Sequence, residues 1–151
     1  YRLAGQDTTE HHTLAIAAAI APGAVVCLLS ALQFHQIGAQ SPAQVWLAIE
    51  RGAAPPRLEY PPLRIVHFSG QVFTAGVEHH DIEGRKVQIY SVAKTVADCF
   101  RMRSKVGYDV AVEALREGWR LRKFTLDELA HFGKLNRVDR IMRPYIEAIT
   151  A

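Results

Sequence analysis

Cysteine is scarce in this sequence, since Cys27 and Cys99 are the only two among 151 residues. Two distant cysteines give no disulfide framework, and they suit a reducing compartment, so we expect a cytoplasmic protein. Long apolar runs are lacking as well. The run Leu14–Val26 contains Pro22 and Gly23 and falls short of the roughly 20 residues that a membrane span needs, so we expect no membrane contact.

The strong motifs of catalysis are also missing. The sequence has no Gly-rich phosphate loop, no GxSxG elbow, no HExxH and no CxxC pair. We therefore expect a protein that works by binding, with no catalytic residue, no metal and no cofactor.

The sequence is rich in hydrophobic residues, which make up 49% of the chain, and 22% of the residues are charged. This composition is sufficient for a buried hydrophobic core. The patterns predict an α+β fold, in which a small mixed sheet with packed helices is followed by a C-terminal helical run. The predicted elements are a helix capped by Thr8-Thr9-Glu10 and ended by Pro22-Gly23, a strand at 24–27, a helix at 28–35, strands at 44–49 and 63–68 around a proline-rich loop, a hairpin at 76–90 with its turn at Gly84, and helices beginning at Ser91, Asp109 and Thr125 before a last apolar stripe at 138–149.

Charge is distributed unevenly along the chain. Residues 1–100 have a net charge of −1, whereas residues 101–151 have a net charge of +4. A basic C-terminal third favours a polyanion or an acidic partner surface. The alternative is a helical face that merely meets solvent.

Six cations in this third are the candidate DNA-binding or partner-binding residues. Helical spacing places Arg116, Arg120 and Lys123 near one face if the helix that begins at Asp109 extends to Lys123. A second predicted stripe contains Lys134, Arg137 and Arg140, which are spaced i, i+3 and i+6. The full candidate set is Arg116, Arg120, Arg122, Lys123, Arg137 and Arg140.

Histidines and acidic residues around the predicted hairpin raise the possibility of a metal site or a nuclease site. His79 and His80 are adjacent in a predicted strand, so they point to opposite faces and cannot hold one ion together. Glu78, His80 and Asp81 would need a distant fourth ligand. A metal-dependent nuclease of one common type has two acids and a lysine, with the lysine two residues after the second acid. Here the residue two positions after Glu83 is Arg85, so the sequence does not match this pattern.

The segment 91–100 contains polar residues within an apolar helix. Cys99 lies between apolar neighbours, which is typical of a buried, unreactive thiol. Lys94 and Asp98 are spaced i, i+4, so we expect them to pair on one face as a local structural cluster.

Two segments resemble motifs of a known family, and a third resembles part of a winged helix. Val25–His35 (VVCLLSALQFH) and Ile89–Arg101 (IYSVAKTVADCFR) resemble two motifs of the AbiEi antitoxin family, with Lys94 where the family usually has arginine. Tyr1-Arg2-Leu3 resembles the last strand of a winged helix. The chain begins at Tyr1, not Met, so we expect a fragment or processed product. The resemblance divides it into 1–5, the end of a winged-helix domain, and 6–151, an AbiEi-like C-terminal domain.

The resemblance implies a DNA-binding transcriptional regulator and antitoxin of a type IV toxin–antitoxin system, the abortive-infection systems of bacterial phage defence. Family members repress their own promoter through the N-terminal winged helix. Their C-terminal domain is implicated in neutralising a nucleotidyltransferase toxin, so a functional link to such a toxin is implied here, with oligomers as a further expectation.

Two alternatives from the residues stay open. One is a metal-dependent nuclease or nucleotidyltransferase-like enzyme that uses Glu78, Asp81 and Glu83 near His80. The other is a plain oligomerisation or partner-binding module, in which the helical tail associates through Trp119, Tyr145 or Ile149.

Overall fold

The computed structural model describes the backbone of residues 4–151 and the side chains from Glu10 onward. It confirms the predicted α+β class, including the helical run at the C-terminal end. The elements of the described part are α1 (Ala4–Ile20), β1 (Val25–Val26), α2 (Leu28–Phe34), β2 (Val45–Glu50), β3 (Leu63–Phe68), α3 (Gly70–Thr74), β4 (Val77–Ile82), β5 (Arg85–Tyr90), α4 (Val92–Arg101), α5 (Arg103–Val106), α6 (Tyr108–Arg120), α7 (Leu126–Leu135) and α8 (Asp139–Thr150).

The five strands form one mixed sheet in the order β3-β2-β1-β5-β4. The short central strand β1 runs antiparallel to β2 and parallel to β5, where Val26 is the partner of Ile89. The two segments that carry the family resemblance therefore meet at the centre of the sheet, and their helices α2 and α4 pack against each other.

The sheet is covered on both faces. Strand β2 shows this most clearly, because it is buried along five successive residues. Trp46 and Ala48 belong to the core that the sheet shares with α2 and α4, while Val45, Leu47 and Ile49 belong to the core beneath α1. No helix in the described part of the chain is both long enough and apolar enough to cross a membrane.

Helix α4 is the centre of the larger core. Every residue from Val92 to Phe100 is buried, including three polar ones, and α2, α6 and α7 pack around the helix. The predicted cluster of Lys94 and Asp98 thus lies inside the molecule, and not on an outward face. Tertiary packing, which a local pattern does not reveal, decides this difference.

The predicted caps at Ser91 and Thr125 and the predicted turn at Gly84 are confirmed. The side chain of Ser91 accepts a hydrogen bond from the backbone of Lys94 and caps α4. Thr125 and Glu128 form the predicted capping box at α7, with hydrogen bonds of 2.8 and 3.1 Å. The β4–β5 hairpin turns through Glu83 and Gly84, both at positive φ, as a type I′ turn requires.

Three predictions at the N-terminal half need comment. Thr8-Thr9 cannot cap α1, because the backbone is already helical from Ala4 and an N-cap residue is not. Helix α3 was not predicted, since five residues carry too little periodicity. The predicted strand at Tyr1–Leu3 lies outside the described residues, and the predicted boundary after residue 5 falls within the span of α1.

Gly76 and Gly84 allow a matched test of packing against α4. Their φ angles are +78° and +77°, so alanine costs similar backbone strain at both, about 1–2 kcal/mol. A Cβ at Gly76 would lie 2.7 Å from Cβ of Lys94, whereas a Cβ at Gly84 meets nothing within 4 Å. We expect Gly76→Ala to lower the free energy of unfolding by about 1–3 kcal/mol more than Gly84→Ala does. Urea unfolding of both variants measures the difference, and equal losses would contradict the close packing at Lys94.

Candidate functional site

The first predicted stripe of cations is broken by the end of a helix. Helix α6 ends at Arg120, and the chain reverses at Arg122, which has a left-handed φ of +56°. The backbone N–H of Lys123 donates to the carbonyl of Gly118 at 2.9 Å, which closes a Schellman turn. The condition for placing Lys123 on the α6 face, a helix that extends to Lys123, is therefore not met, because this turn redirects the chain.

The second predicted stripe fails for the same reason. Lys134 belongs to α7, Arg140 belongs to α8, and Arg137 lies between the helices with a φ of +59°. The N–H of Val138 donates to the carbonyl of Gly133 at 2.9 Å in a second Schellman turn. These cations are neighbours at a turn and do not form one helical row.

Three of the six candidates do share a surface, which we call the α6-end surface: Arg116, Arg120 and Arg122. Arg120 and Arg122 border an open depression of about 690 Å³ whose wall includes Trp119. Arg120 and Arg116 border a second depression of about 600 Å³. Because Arg120 belongs to both, the two depressions adjoin.

The arginines of this surface differ in whether they form ion pairs. The guanidinium of Arg120 donates to both carboxylate oxygens of Glu117, at 3.2 and 2.8 Å. Arg116 and Arg122 are exposed and make no ion pair within 4 Å among the described residues. The unpaired guanidinium groups stand beside carboxylates, because Asp127 lines the first depression and Asp109, Glu113 and Glu117 line the second.

Arg122 and Arg137 both occupy a helix C′ position where glycine is usual. A non-glycine residue in the left-handed region costs about 1 kcal/mol or more. Retaining arginine at such a position gives up stability, and strain of this kind is a reason to look for function.

The remaining candidates lie elsewhere. Lys123 is close enough to His35 for its charge to affect that imidazole. Arg137 and Arg140 lie at the far end of α7, a helix of 10 residues and therefore about 15 Å long. The structure does not bring the six together into one patch.

Sequence reasoning missed the burial of a polar cluster beneath these helices. Nζ of Lys94 lies 2.8 Å from Oδ2 of Asp98, and both side chains are fully buried. The ammonium also lies 3.7 Å from the ring centroid of Tyr90. Oδ1 of Asp98 accepts a hydrogen bond from Asn136 at 3.0 Å, so the pair ties α4 to the turn between α7 and α8.

Burial opposes both charges of this pair. It lowers the pKa of Lys94 and raises the pKa of Asp98, while the partner charge works against each change. Oδ1 of Asn136 is buried and has no hydrogen-bond partner among the residues that the structure describes. The i, i+4 spacing was the one sequence signal for the pair, but it does not distinguish a buried pair from an exposed one.

A histidine and glutamate cluster lies at the end of α2. Nε2 of His35 is 2.9 Å from the carbonyl oxygen of Tyr90, and Nε2 of His80 is 2.9 Å from a carboxylate oxygen of Glu78. The ring of Phe34 packs 4.7 Å from that of His80, centroid to centroid. Burial lowers the pKa of His35, and the hydrogen bond to Tyr90 partly offsets this effect.

The residues of the enzyme alternative are not brought together. Glu78 and His80 share one face of β4, whereas Asp81 points to the other face and pairs in register with Lys86. Glu83 lies in the hairpin turn, with its carboxylate 2.7 Å from Nδ1 of His12. In the part of the chain with described side chains, no three His, Cys, Asp or Glu residues are arranged to hold a metal ion.

Two other groups of predicted residues lie in the core. Cys27 and Cys99 are free and fully buried, and desolvation raises the pKa of both thiols, which agrees with the prediction of an unreactive Cys99. Trp119, Tyr145 and Ile149, the candidates for self-association, are half-buried and pack against the chain's own core.

No protein-family model matches this chain, and the curated proteins offer no match either.

The buried pair predicts strong non-additivity of mutations. Lys94→Met leaves a buried carboxylate without its cation, and Asp98→Asn leaves a buried ammonium, so each should cost about 3–5 kcal/mol. The double variant leaves no isolated charge, so its loss should be well below the sum of the single losses. Urea unfolding of all four proteins measures the coupling. Additive losses would contradict an ion pair at this position.

The lowered pKa of His35 predicts that the folded protein becomes less stable as the pH falls. Its folded-state pKa lies below the ordinary value near 6.5, so the unfolded chain binds protons first as the pH drops. The free energy of unfolding should therefore decrease from pH 7 to pH 5, by at most about 1.4 kcal/mol per pH unit for this group.

Urea unfolding of His35→Gln across the same range should show a smaller pH dependence. His79→Gln is the matched control, because His79 is exposed on the opposite strand face from His80, and it should retain the full dependence. An unchanged slope in His35→Gln would overturn the assignment.

Proposed function

We propose that this chain is the C-terminal, non-catalytic domain of an AbiEi-like transcriptional regulator and antitoxin of a type IV toxin–antitoxin system in the bacterial cytoplasm. Its role is to add contacts to DNA phosphates beside a domain that reads the promoter sequence. The α6-end surface makes these contacts.

The observation that carries this proposal is that Arg116 and Arg122 are exposed beside adjoining open depressions and make no ion pair with any side chain from Glu10 onward. Phosphate contacts need exposed, unpaired cations and tolerate irregular spacing, so the loss of the helical stripe does not weaken the case. The strained position of Arg122 adds to it, since glycine there would be more stable but uncharged.

The family resemblance supports the regulatory part of the proposal. The two motif segments form neighbouring strands and packed helices at the centre of the fold, as expected of the segments that define a domain. The usual arginine of the second motif is Lys94 here, and this residue is buried against Asp98, so the replacement alters the core and not a binding surface.

The antitoxin part concerns how the domain opposes a nucleotidyltransferase toxin. Repression of the shared promoter limits toxin synthesis, and this route needs DNA contacts alone. A binding role also agrees with the geometry of β4, where the acids of the nuclease alternative lie on opposite faces.

The α6-end surface predicts a reduced salt dependence of DNA binding on mutation. Arg116→Gln with Arg122→Gly removes two phosphate contacts, so the slope of log K against log salt should fall by about 2. Fluorescence anisotropy of the chain with a random-sequence duplex, between 50 and 200 mM salt, measures it.

Arg122→Gly alone should also raise the free energy of unfolding by about 1 kcal/mol, because it relieves the left-handed strain.

Arg85→Gln with Lys86→Gln is the matched control, since both are exposed and lie in the β4–β5 hairpin, away from α6. This variant removes the same charge and should leave the slope close to that of the parent chain. Equal slopes for the parent and the α6-end variant would remove this surface from the mechanism, as would an equal loss in the control.

A further inference from the structure

The two edges of the sheet, formed by β3 and β4, differ in composition. Strand β4 (VEHHDI) contains Glu78 and Asp81, and charged side chains are one means by which an edge strand resists pairing with other strands. Strand β3 (LRIVHF) contains no acid, lysine, proline or glycine. Its arginine, Arg64, has its guanidinium carbon 5.2 Å from the centroid of the Trp46 ring on β2. The outer side of β3, which we call the β3 edge, is therefore poorly protected against strand pairing.

The hydrogen bonds to β2 show which backbone groups of β3 face outward. At the two ends of the parallel ladder, the N–H of Val45 donates to the carbonyl of Pro62, and the N–H of Arg51 donates to the carbonyl of Phe68. Backbone groups alternate in direction along a strand, so the even-numbered residues of β3 bond to β2. The residues whose N–H and C=O groups point outward are therefore Leu63, Ile65 and His67.

These outward groups have no backbone partner within residues 4–151, where β2 is the one strand beside β3. The side-chain amide of Gln44 donates to the carbonyl of Leu63 at 3.4 Å, at the start of the strand. The side chains of Leu63 and Ile65 are half-buried and that of His67 is exposed. A row of this kind binds an extended strand, which supplies the missing donors and acceptors.

We propose that two copies of this chain pair through their β3 edges, as antiparallel strands related by a two-fold axis at Ile65. In this register Ile65 lies opposite the partner's Ile65, and Leu63 lies opposite the partner's His67. Each outward residue exchanges two hydrogen bonds with the residue opposite to it, as in a hydrogen-bonded antiparallel pair. Two five-stranded sheets thereby become one continuous sheet.

The symmetry and the charge of the outward row favour a second copy as the occupant. A two-fold interface requires a patch that is complementary to itself, and the outward residues Leu63 and His67 lie symmetrically about Ile65. Like charges are not directly opposed, because Arg64 lies opposite the partner's Val66 in this register. The pairing uses no residue of the α6-end surface, so it is independent of the DNA-binding proposal.

A matched pair of proline variants tests the pairing. Proline at an outward position removes one edge donor and no hydrogen bond of the sheet. His67→Pro makes this change at the β3 edge, and His79→Pro makes it at the β4 edge, where His79 is equally exposed. The N–H of His79 also points outward, because the hydrogen bond from Ser91 to Gly76 fixes which pairs of the β4–β5 ladder are bonded.

Sedimentation equilibrium of the chain over a range of concentrations gives the Kd of the dimer. His67→Pro should raise this Kd by about tenfold or more, because it removes a hydrogen bond from each strand and its ring obstructs the approach. His79→Pro should leave the Kd unchanged. Far-UV circular dichroism of both variants shows whether they fold as the parent chain does.

Ile65→Cys tests the register without a proline. Opposite residues of a hydrogen-bonded antiparallel pair have Cα atoms about 5.5 Å apart, a separation that a disulfide spans. Cys27 and Cys99 are fully buried, so they do not compete for the new thiol. Mild oxidation should cross-link Ile65→Cys into a dimer, whereas His79→Cys, the control at the β4 edge, should give far less cross-linked product.

Several results would overturn the pairing. A parent chain that stays monomeric up to about 1 mM, with no cross-link in Ile65→Cys, would exclude it. A dimer that His67→Pro leaves intact would place the interface elsewhere. Polymers that either proline abolishes would show pairing of β3 with β4 of another copy. A monomer that binds an extended peptide of alternating valine and threonine at the β3 edge would assign this edge to a strand of a different protein.

Discussion

An ammonium and a carboxylate meet 2.8 Å apart at the centre of this molecule, and neither reaches water. Desolvation of two charges costs several kcal/mol, so the pair is tolerated only where its geometry is held closely. Tyr90 lies under the ammonium, Asn136 donates to the carboxylate, and Gly76 passes over the lysine side chain without room for a Cβ. These contacts hold α4 against the sheet and the α7–α8 turn against α4, so the position of Arg137 in that turn depends on this pair.

The sequence predicted most elements because their signals are local. The capping box at Thr125, the cap at Ser91 and the turn at Gly84 depend on residues within four positions of one another. The surface of cations was predicted less well. Arg122 and Arg137 are arginines at positions where glycine usually ends a helix, so residue type gave no sign that α6 and α7 end there. The burial of Lys94 and Asp98 was also hidden, because it depends on packing partners distant in sequence, such as Asn136.

In the proposed function, the exposed arginines at the end of α6 contact DNA phosphates. The α6-end surface is open and carries guanidinium groups beside wide depressions, which suits a phosphate backbone.

In the proposed function, this chain adds sequence-independent contacts to a repressor that reads its own promoter. The most direct measurement is a gel shift on the DNA upstream of the gene, over a series of salt concentrations. It compares this 151-residue chain with the complete product of its reading frame. The account predicts specific binding by the complete product, and weak, salt-sensitive binding without sequence preference by this chain. Absence of binding by both proteins would contradict the repressor assignment.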